Sequence, residues 1–133
     1  DVGDELRREY GDDVLAQRII KAINDQKKDK IVIEGIRNPG EIEFLKQNSS
    51  FILIGVKANR ELRFKRVLSR GKKWDPKDYE EFLKVDRRDL GVGQKKSGQQ
   101  VGKCLAYCDY VLTNNKDTNN FEGKIKKLMT NVK

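Results

Sequence analysis

Residues 31–56, IVIEGIRNPGEIEFLKQNSSFILIGV, decide how the rest of the chain reads. The runs 31–33 (IVI) and 51–56 (FILIGV) are apolar without alternation and too short for helices. Apolarity on both faces over so few residues predicts buried strands of a parallel sheet. Between them, Asn38-Pro39-Gly40-Glu41 predicts a helix start. Asn38 is the cap, Pro39 the first helical residue, and Glu41 the third, reaching back to the cap. That helix runs through Ile42 and Leu45 and ends near Asn48.

Working outward, residues 12–27 predict an amphipathic helix, with Val14, Leu15, Ile19, Ala22 and Ile23 near 3.6-residue spacing. Asn59 is placed to cap a helix that ends at Gly71, and Asp75-Pro76 to open another that turns Tyr79, Phe82 and Leu83 inward. The glycine- and lysine-rich stretch 91–98 predicts a mobile loop. A short helix over 99–108, a third strand over 109–113 and a final helix over 121–132 complete the series. Strands alternating with helices predict an α/β fold, a three-layer parallel sheet with helices on both faces. Ligands of such sheets bind beyond the carboxyl ends of the strands. Glu34, Gly35 and Arg37, then Lys57 and Asn59, then Asn114 and Asn115 follow those ends.

A length of 133 residues suits one domain. Charged residues (38%) outnumber hydrophobic ones (36%), so the core must come from a few strongly apolar segments. No run approaches the roughly 20 apolar residues that span a bilayer, and the opening DVGDELRREYG is too polar for a signal peptide. The expectation is a soluble cytoplasmic protein without a membrane partner. The absence of histidine excludes Ser-His-Asp and Cys-His nucleophilic mechanisms and His-based metal sites. What remains is carboxylates, Lys, Arg and backbone dipoles, a kit suited to phosphoryl transfer, whose catalysis is positioning and charge stabilisation. Cys104 and Cys108, on one face of the short helix, read as reduced packing residues because a structural zinc lacks two further ligands. The net charge of +8 is uneven: residues 57–103 hold 15 Lys and Arg against 7 Asp and Glu, which points there to an anionic ligand or a solvated basic face.

The string IVIEGIRNPGEIEFL resembles the segment of nucleoside-monophosphate kinases in which an apolar strand ends in an acidic residue, glycine and, slightly later, arginine. FILIGVKANRELRFKRVLSRG is similar to their next strand and the arginine-bearing helix leading to the lid. VDRRDLGVGQ and VGKCLAYCDYVLTNN resemble the C-terminal part of dephospho-coenzyme A kinases and related archaeal P-loop kinases, and ELRREYGDDVLAQRI resembles the monophosphate-binding region of the latter. The similarity covers nearly the whole chain in one order. It implies a P-loop fold of nucleotide-kinase type, incomplete at the N-terminus, with residues 72–98 as the lid.

The phosphate loop itself, G-x-x-x-x-G-K-[ST], is missing. The nearest string, Gly98 to Cys104, is one residue short, puts Cys in place of Ser or Thr and follows no strand. In the family the missing first strand lies between those matching 31–33 and 51–56. Its loss would leave ladder groups unpaired, so the numbering is expected to begin partway into a longer polypeptide, unless a second chain fills the gap or the fold is rearranged.

The resemblance implies an ATP-dependent phosphotransferase with Mg2+, acting on a nucleoside monophosphate or dephospho-coenzyme A. Glu34 is the implied metal ligand, though the family usually has Asp there. Gly35 lets a phosphate approach the backbone, and Arg7 or Arg8, with Arg7 favoured, clamps the acceptor phosphate. Arg37, with Arg66 or Arg70 from the three-arginine face that Arg63 completes, and Arg87 meet the transferring phosphoryl group. Arg88, from the same lid region, binds ATP as the lid closes, and Asn114 and Asn115 contact its adenine. The alternatives are surface ion pairs for the arginines and a turn for the asparagines; Trp74, near the lid, has two readings, a ring on which a base stacks and, favoured, a packed hydrophobic anchor. A non-catalytic nucleotide- or nucleic-acid-binding module built on the basic segment 57–103 is the competing function, and a regulatory domain that has lost catalysis is a third.

Overall fold

The computed structural model describes residues 1–132. Its elements are α1 (Val2–Tyr10), α2 (Val14–Asn24), α3 (Pro39–Asn48), β1 (Ile54–Lys57), α4 (Arg60–Arg70), α5 (Tyr79–Leu90), α6 (Val101–Ala106), β2 (Tyr110–Thr113) and α7 (Thr118–Asn131). They fall into two compact units, one of residues 1–52 and 83–107, the other of residues 53–82 and 108 onward. The division falls inside α5, between Phe82 and Leu83, so the stretch 72–98 read as a lid belongs partly to each.

In the first unit, α2 packs on α1 and on α3, and α3 on α6. Its apolar centre is small: Val14, Ala16, Ile42, Leu45 and Cys104 are buried. Local chemistry sets α3 as the sequence predicts. The Asn38 side chain accepts from Gly40 N–H (2.9 Å), Pro39 opens the helix, and Glu41 returns its carboxylate to the Asn38 N–H (3.3 Å). The helix α1 carries its own cap, Asp1, whose Oδ1 accepts from Gly3 N–H at 2.8 Å.

In the second unit, β1 and β2 pair in parallel, Ile54 opposite Tyr110 through Lys57 opposite Thr113. The α/β class holds in this coarse form: helices and a parallel pair of strands. The Asp109 carboxylate receives Leu53 N–H (2.8 Å), and the Leu53 carbonyl receives Asp109 N–H (2.9 Å), which locks the entry to the pair. Phe64, Tyr79 and Phe82 form an aromatic cluster with ring centroids 5.1 to 6.2 Å apart. Gly71 ends α4 at φ 57°, a left-handed conformation for which glycine has no Cβ penalty.

Several expectations are corrected. Residues 31–33 form no strand: Val32 is 94% exposed, and a strand exists only where a neighbour takes its ladder hydrogen bonds, which no described residue does here. The sheet among the described residues therefore has two strands rather than three, and Ile54, Val56 and Val111 on it are exposed rather than covered on both faces. The helix expected from Asp75-Pro76 begins at Tyr79, because Asp75 is bound to Arg70 and to Lys72 N–H, leaving Asp78 to accept from Glu81 N–H. Stretch 91–98, expected to be mobile, is tied down: Asn38 Nδ2 donates to the Lys96 and Gly98 carbonyls (2.8 and 3.0 Å), and Gln100 Nε2 to those of Lys95 and Lys96. Cys108 lies past the end of α6, so it shares no helical face with Cys104, and neither is in a disulfide. Trp74, read as a packed anchor, is 78% exposed.

Candidate functional site

In the first unit the deciding residue is Glu41. It is buried, and its carboxylate joins three segments. Oε1 accepts from Arg7 Nε at 2.9 Å, while Oε2 accepts from the backbone N–H of Arg37 (3.0 Å) and of Asn38. Burying a charge is costly unless it is paired and hydrogen-bonded, and Glu41 meets both conditions. Arg7 is equally enclosed, bonded also to Asp4 (3.0 Å) and to the Ser97 carbonyl (3.3 Å). Of the two adjacent arginines, Arg7 thus faces inward onto carboxylates. Arg8 is exposed and has no ion pair with a described residue.

The backbone of Arg37 is clamped on both sides: its N–H by Glu41, its carbonyl by Gln100 N–H at 2.7 Å. Its guanidinium is exposed, and Nη1 donates to Gln99 Oε1 (3.2 Å). Gln99 in turn donates to Asp1 (2.9 Å), and Asp1 with Asp4 holds Arg88 at 3.0 and 3.4 Å. Asp89 lies in this neighbourhood. Burial pushes its carboxyl pKa up, against the opposing pull of Arg37 and Arg88. Arg7, Arg37 and Arg88, far apart in sequence, are thus brought into one charged network with Asp1, Asp4, Glu41 and Asp89. Gly35 adopts φ 81° two residues before Arg37, which turns the chain in a way that favours glycine. Glu34 and Gly35 border an otherwise mostly apolar cleft with Leu15, Ile19, Ala22 and Leu45. Arg87 is exposed and has no side-chain partner among the described residues.

In the second unit Arg66, Asn114 and Asn115 meet just past the carboxyl ends of the strands, while Arg70 lies at the end of α4. Arg66 donates to the Asn114 carbonyl (2.7 Å), to Asn114 Oδ1 (3.4 Å) and to the Lys116 carbonyl (3.0 Å). Asn115 receives Asn59 N–H at 2.8 Å, and its amide donates to Asn59 Oδ1. These asparagines follow β2 directly, Asn114 N–H donating to the Lys57 carbonyl (2.7 Å), and Arg66 holds the segment 114–116. Arg70 makes two hydrogen bonds to Asp75. Arg70's hydrogen bond, followed by that of Lys72 N–H, holds the Asp75 carboxyl below the usual carboxylate range.

Among the described residues no group of three or more His, Cys, Asp or Glu is placed to hold a metal ion. No described helix is long and apolar enough to cross a membrane. Glu41 and Asn38 were legible only as a capping pair. The Asp4–Arg7 spacing of three was the one sequence signal that α1 turns a charged face toward something. Nothing in the sequence pointed to Gln99.

No protein-family model matches the chain. It is 32% identical over 133 residues to a UPF0200 protein of Pyrococcus horikoshii, a match covering 96% of this chain and 68% of that protein. It is 35% identical over 129 residues to a UPF0200 protein of Methanothermobacter thermautotrophicus, and 29% identical over 127 residues to one of Hyperthermus butylicus. Those matches take in 60% and 64% of the relatives' lengths, so the chain spans roughly two thirds of the proteins it resembles or somewhat less.

Proposed function

This chain belongs to the UPF0200 family, whose matched members extend well beyond it, and we propose that it supplies the acceptor-binding and arginine-bearing part of an ATP-dependent phosphotransferase. The acceptor is a nucleotide-like small molecule, a nucleoside monophosphate or dephospho-coenzyme A. The three-layer P-loop fold of nucleotide kinases is part of this proposal. So is a phosphate loop contributed by residues outside this sequence.

Arg37 carries the reading. A phosphate anchor needs a guanidinium whose backbone does not move and whose outer N–H groups face solvent, so that two parallel hydrogen bonds form without reorganisation. Arg37 is held through both its backbone N–H and its carbonyl, while its exposed guanidinium meets a single protein acceptor, Gln99. Arg8 and Arg87 supply further exposed positive charge on the same unit, whereas Arg88 is paired with Asp1 and Asp4. Arg7 acts through Glu41 rather than on the ligand. In the second unit Arg66 and Arg70 hold the segment 114–116 and the 71–78 loop, so they position their segments.

Magnesium in such reactions is held mainly by waters and phosphate oxygens, with one or two protein carboxylates. Glu34, which is exposed, would supply one such ligand. When bound, the ion would neutralise charge on the phosphates.

The test is ADP formation from ATP and Mg2+ by the protein as its source produces it, across a panel of nucleoside monophosphates and dephospho-coenzyme A. One acceptor is expected to stimulate ADP release. Arg37→Ala is expected to lower kcat/KM about tenfold to a hundredfold, the value of a hydrogen bond to a charged group. ADP release that no acceptor stimulates refutes the reading.

A further inference from the structure

The loop 71–78 of the second unit displays the only tryptophan of the chain to solvent. The loop is ordered from below. Asp75, 6% exposed, receives two hydrogen bonds from Arg70 and one from Lys72 N–H (3.0 Å), and Asp75 N–H donates to the Lys72 carbonyl (2.9 Å). These bonds close the chain beneath Trp74, whose ring is left 78% exposed. Lys72 Nζ stands 5.3 Å from the ring centroid, a cation–π contact. Between residues 57 and 77 lie nine Lys and Arg against Glu61 and Asp75 alone. Lys57, Lys65, Lys73 and Lys77 on this stretch are exposed.

We propose that this loop is a platform for single-stranded nucleic acid, with a base stacked on Trp74 and the flanking lysines tracking the backbone phosphates. The chemistry is that of general single-strand binders, an aromatic face beside a positively charged track. A mononucleotide fits the surroundings less well, since small-ligand sites are concave and enclose most of the ligand, whereas this ring stands clear of its own unit. A duplex offers no unstacked base to the ring. The proposal goes beyond the phosphotransfer reading and does not depend on it, since Arg37 and Glu34 have no part in it.

Because Trp74 is the sole tryptophan, its fluorescence reports the contact directly. The chain is titrated with an oligouridylate of about 12 nucleotides, within the usual site sizes of single-strand binders. The expected result is saturable quenching, with affinity falling steeply between about 50 and 200 mM salt. By anisotropy of a labelled oligonucleotide, Trp74→Ala is expected to weaken binding about 5- to 150-fold, the equivalent of one stacked base. Trp74→Phe should retain most of the affinity, and Lys73→Ala should reduce the salt slope by about one. An exposed ring contributes little to packing, so an unchanged melting temperature accompanies the expected loss. Undiminished binding in Trp74→Ala overturns the proposal. So does quenching by ATP or AMP at the same affinity as the oligonucleotide, or a blunt duplex binding as tightly as the single strand.

Discussion

Replacing Glu41 with alanine probes the charged network at its centre. The substitution removes the acceptor of Arg7 Nε at 2.9 Å and leaves the backbone N–H groups of Arg37 and Asn38 without their carboxylate. Removing one partner of a buried ion pair costs about 3–5 kcal/mol, because the other charge stays buried. Arg7 keeps Asp4 at 3.0 Å and the Ser97 carbonyl, which moves the expectation toward the lower end, about 3 kcal/mol. Glu41→Gln separates the two roles. Its single amide oxygen can still accept from the backbone N–H groups, while the NH2 that then faces Arg7 takes away both the charge and the Oε1 acceptor, so the expected loss is smaller than that of Glu41→Ala by about 1 kcal/mol, the worth of the retained backbone hydrogen bonds. The double change Arg7→Met with Glu41→Gln should recover part of the loss, since it leaves no buried guanidinium to compensate. Urea unfolding followed by far-ultraviolet circular dichroism measures all three. A loss below about 1 kcal/mol for Glu41→Ala, the range of an exposed pair, would show that Asp4 alone satisfies Arg7 and that Glu41 is not the joint.

Three further outcomes are expected. Leu45→Ala, at a site 1% exposed, should cost about 2–5 kcal/mol; an effect under about 1 kcal/mol would mean that α3 is not packed as described. Asp75, its pKa lowered first by Arg70's hydrogen bond, contributes stability that is complete above the ordinary carboxylate range and is lost as pH falls through its lowered pKa. Asp75→Asn should therefore flatten the acid limb of a melting-temperature profile below about pH 4, and an unchanged limb would contradict that. Asp89 has the opposite sign. Burial raises its pKa, so its favourable contribution is complete below the ordinary value and is lost as pH rises through the raised one. Asp89→Asn should raise the melting temperature at neutral pH and lose that advantage in acid; a lower melting temperature at pH 7 would show that Arg37 and Arg88 outweigh the burial.

What the sequence revealed was what local chemistry dictates. The start of α3 follows from four consecutive residues, and the end of α4 from one glycine, because caps are satisfied within a turn. Strands β1 and β2 announce themselves as apolar runs. The failures share a cause in partners that the local pattern does not specify. IVI at 31–33 has the composition of a strand, but composition supplies no neighbour to pair with. Asp75 before Pro76 has the pattern of a cap, yet Arg70 five residues earlier takes its carboxylate. At the candidate site, the sequence resemblance marks Arg37 and Arg88 as arginines for phosphate contact and favours Arg7 over Arg8 as the clamp. The network turns Arg7 inward, because Glu41, 34 residues away, needs a buried counter-charge. No spacing rule encodes that contact, nor the one between Arg37 and Gln99, 62 residues apart.

Calorimetric titration of the chain with nucleoside monophosphates and dephospho-coenzyme A, alongside Arg37→Ala and Arg37→Lys, addresses the acceptor site without requiring turnover. Saturable binding of one of these ligands is expected. Arg37→Ala should weaken it about tenfold or more, and Arg37→Lys should restore only part of the loss, since an ammonium lacks the guanidinium's paired donors. Absence of binding by every ligand, or binding that Arg37→Ala leaves intact, would contradict the assignment of Arg37 as the phosphate anchor and with it the phosphotransferase reading.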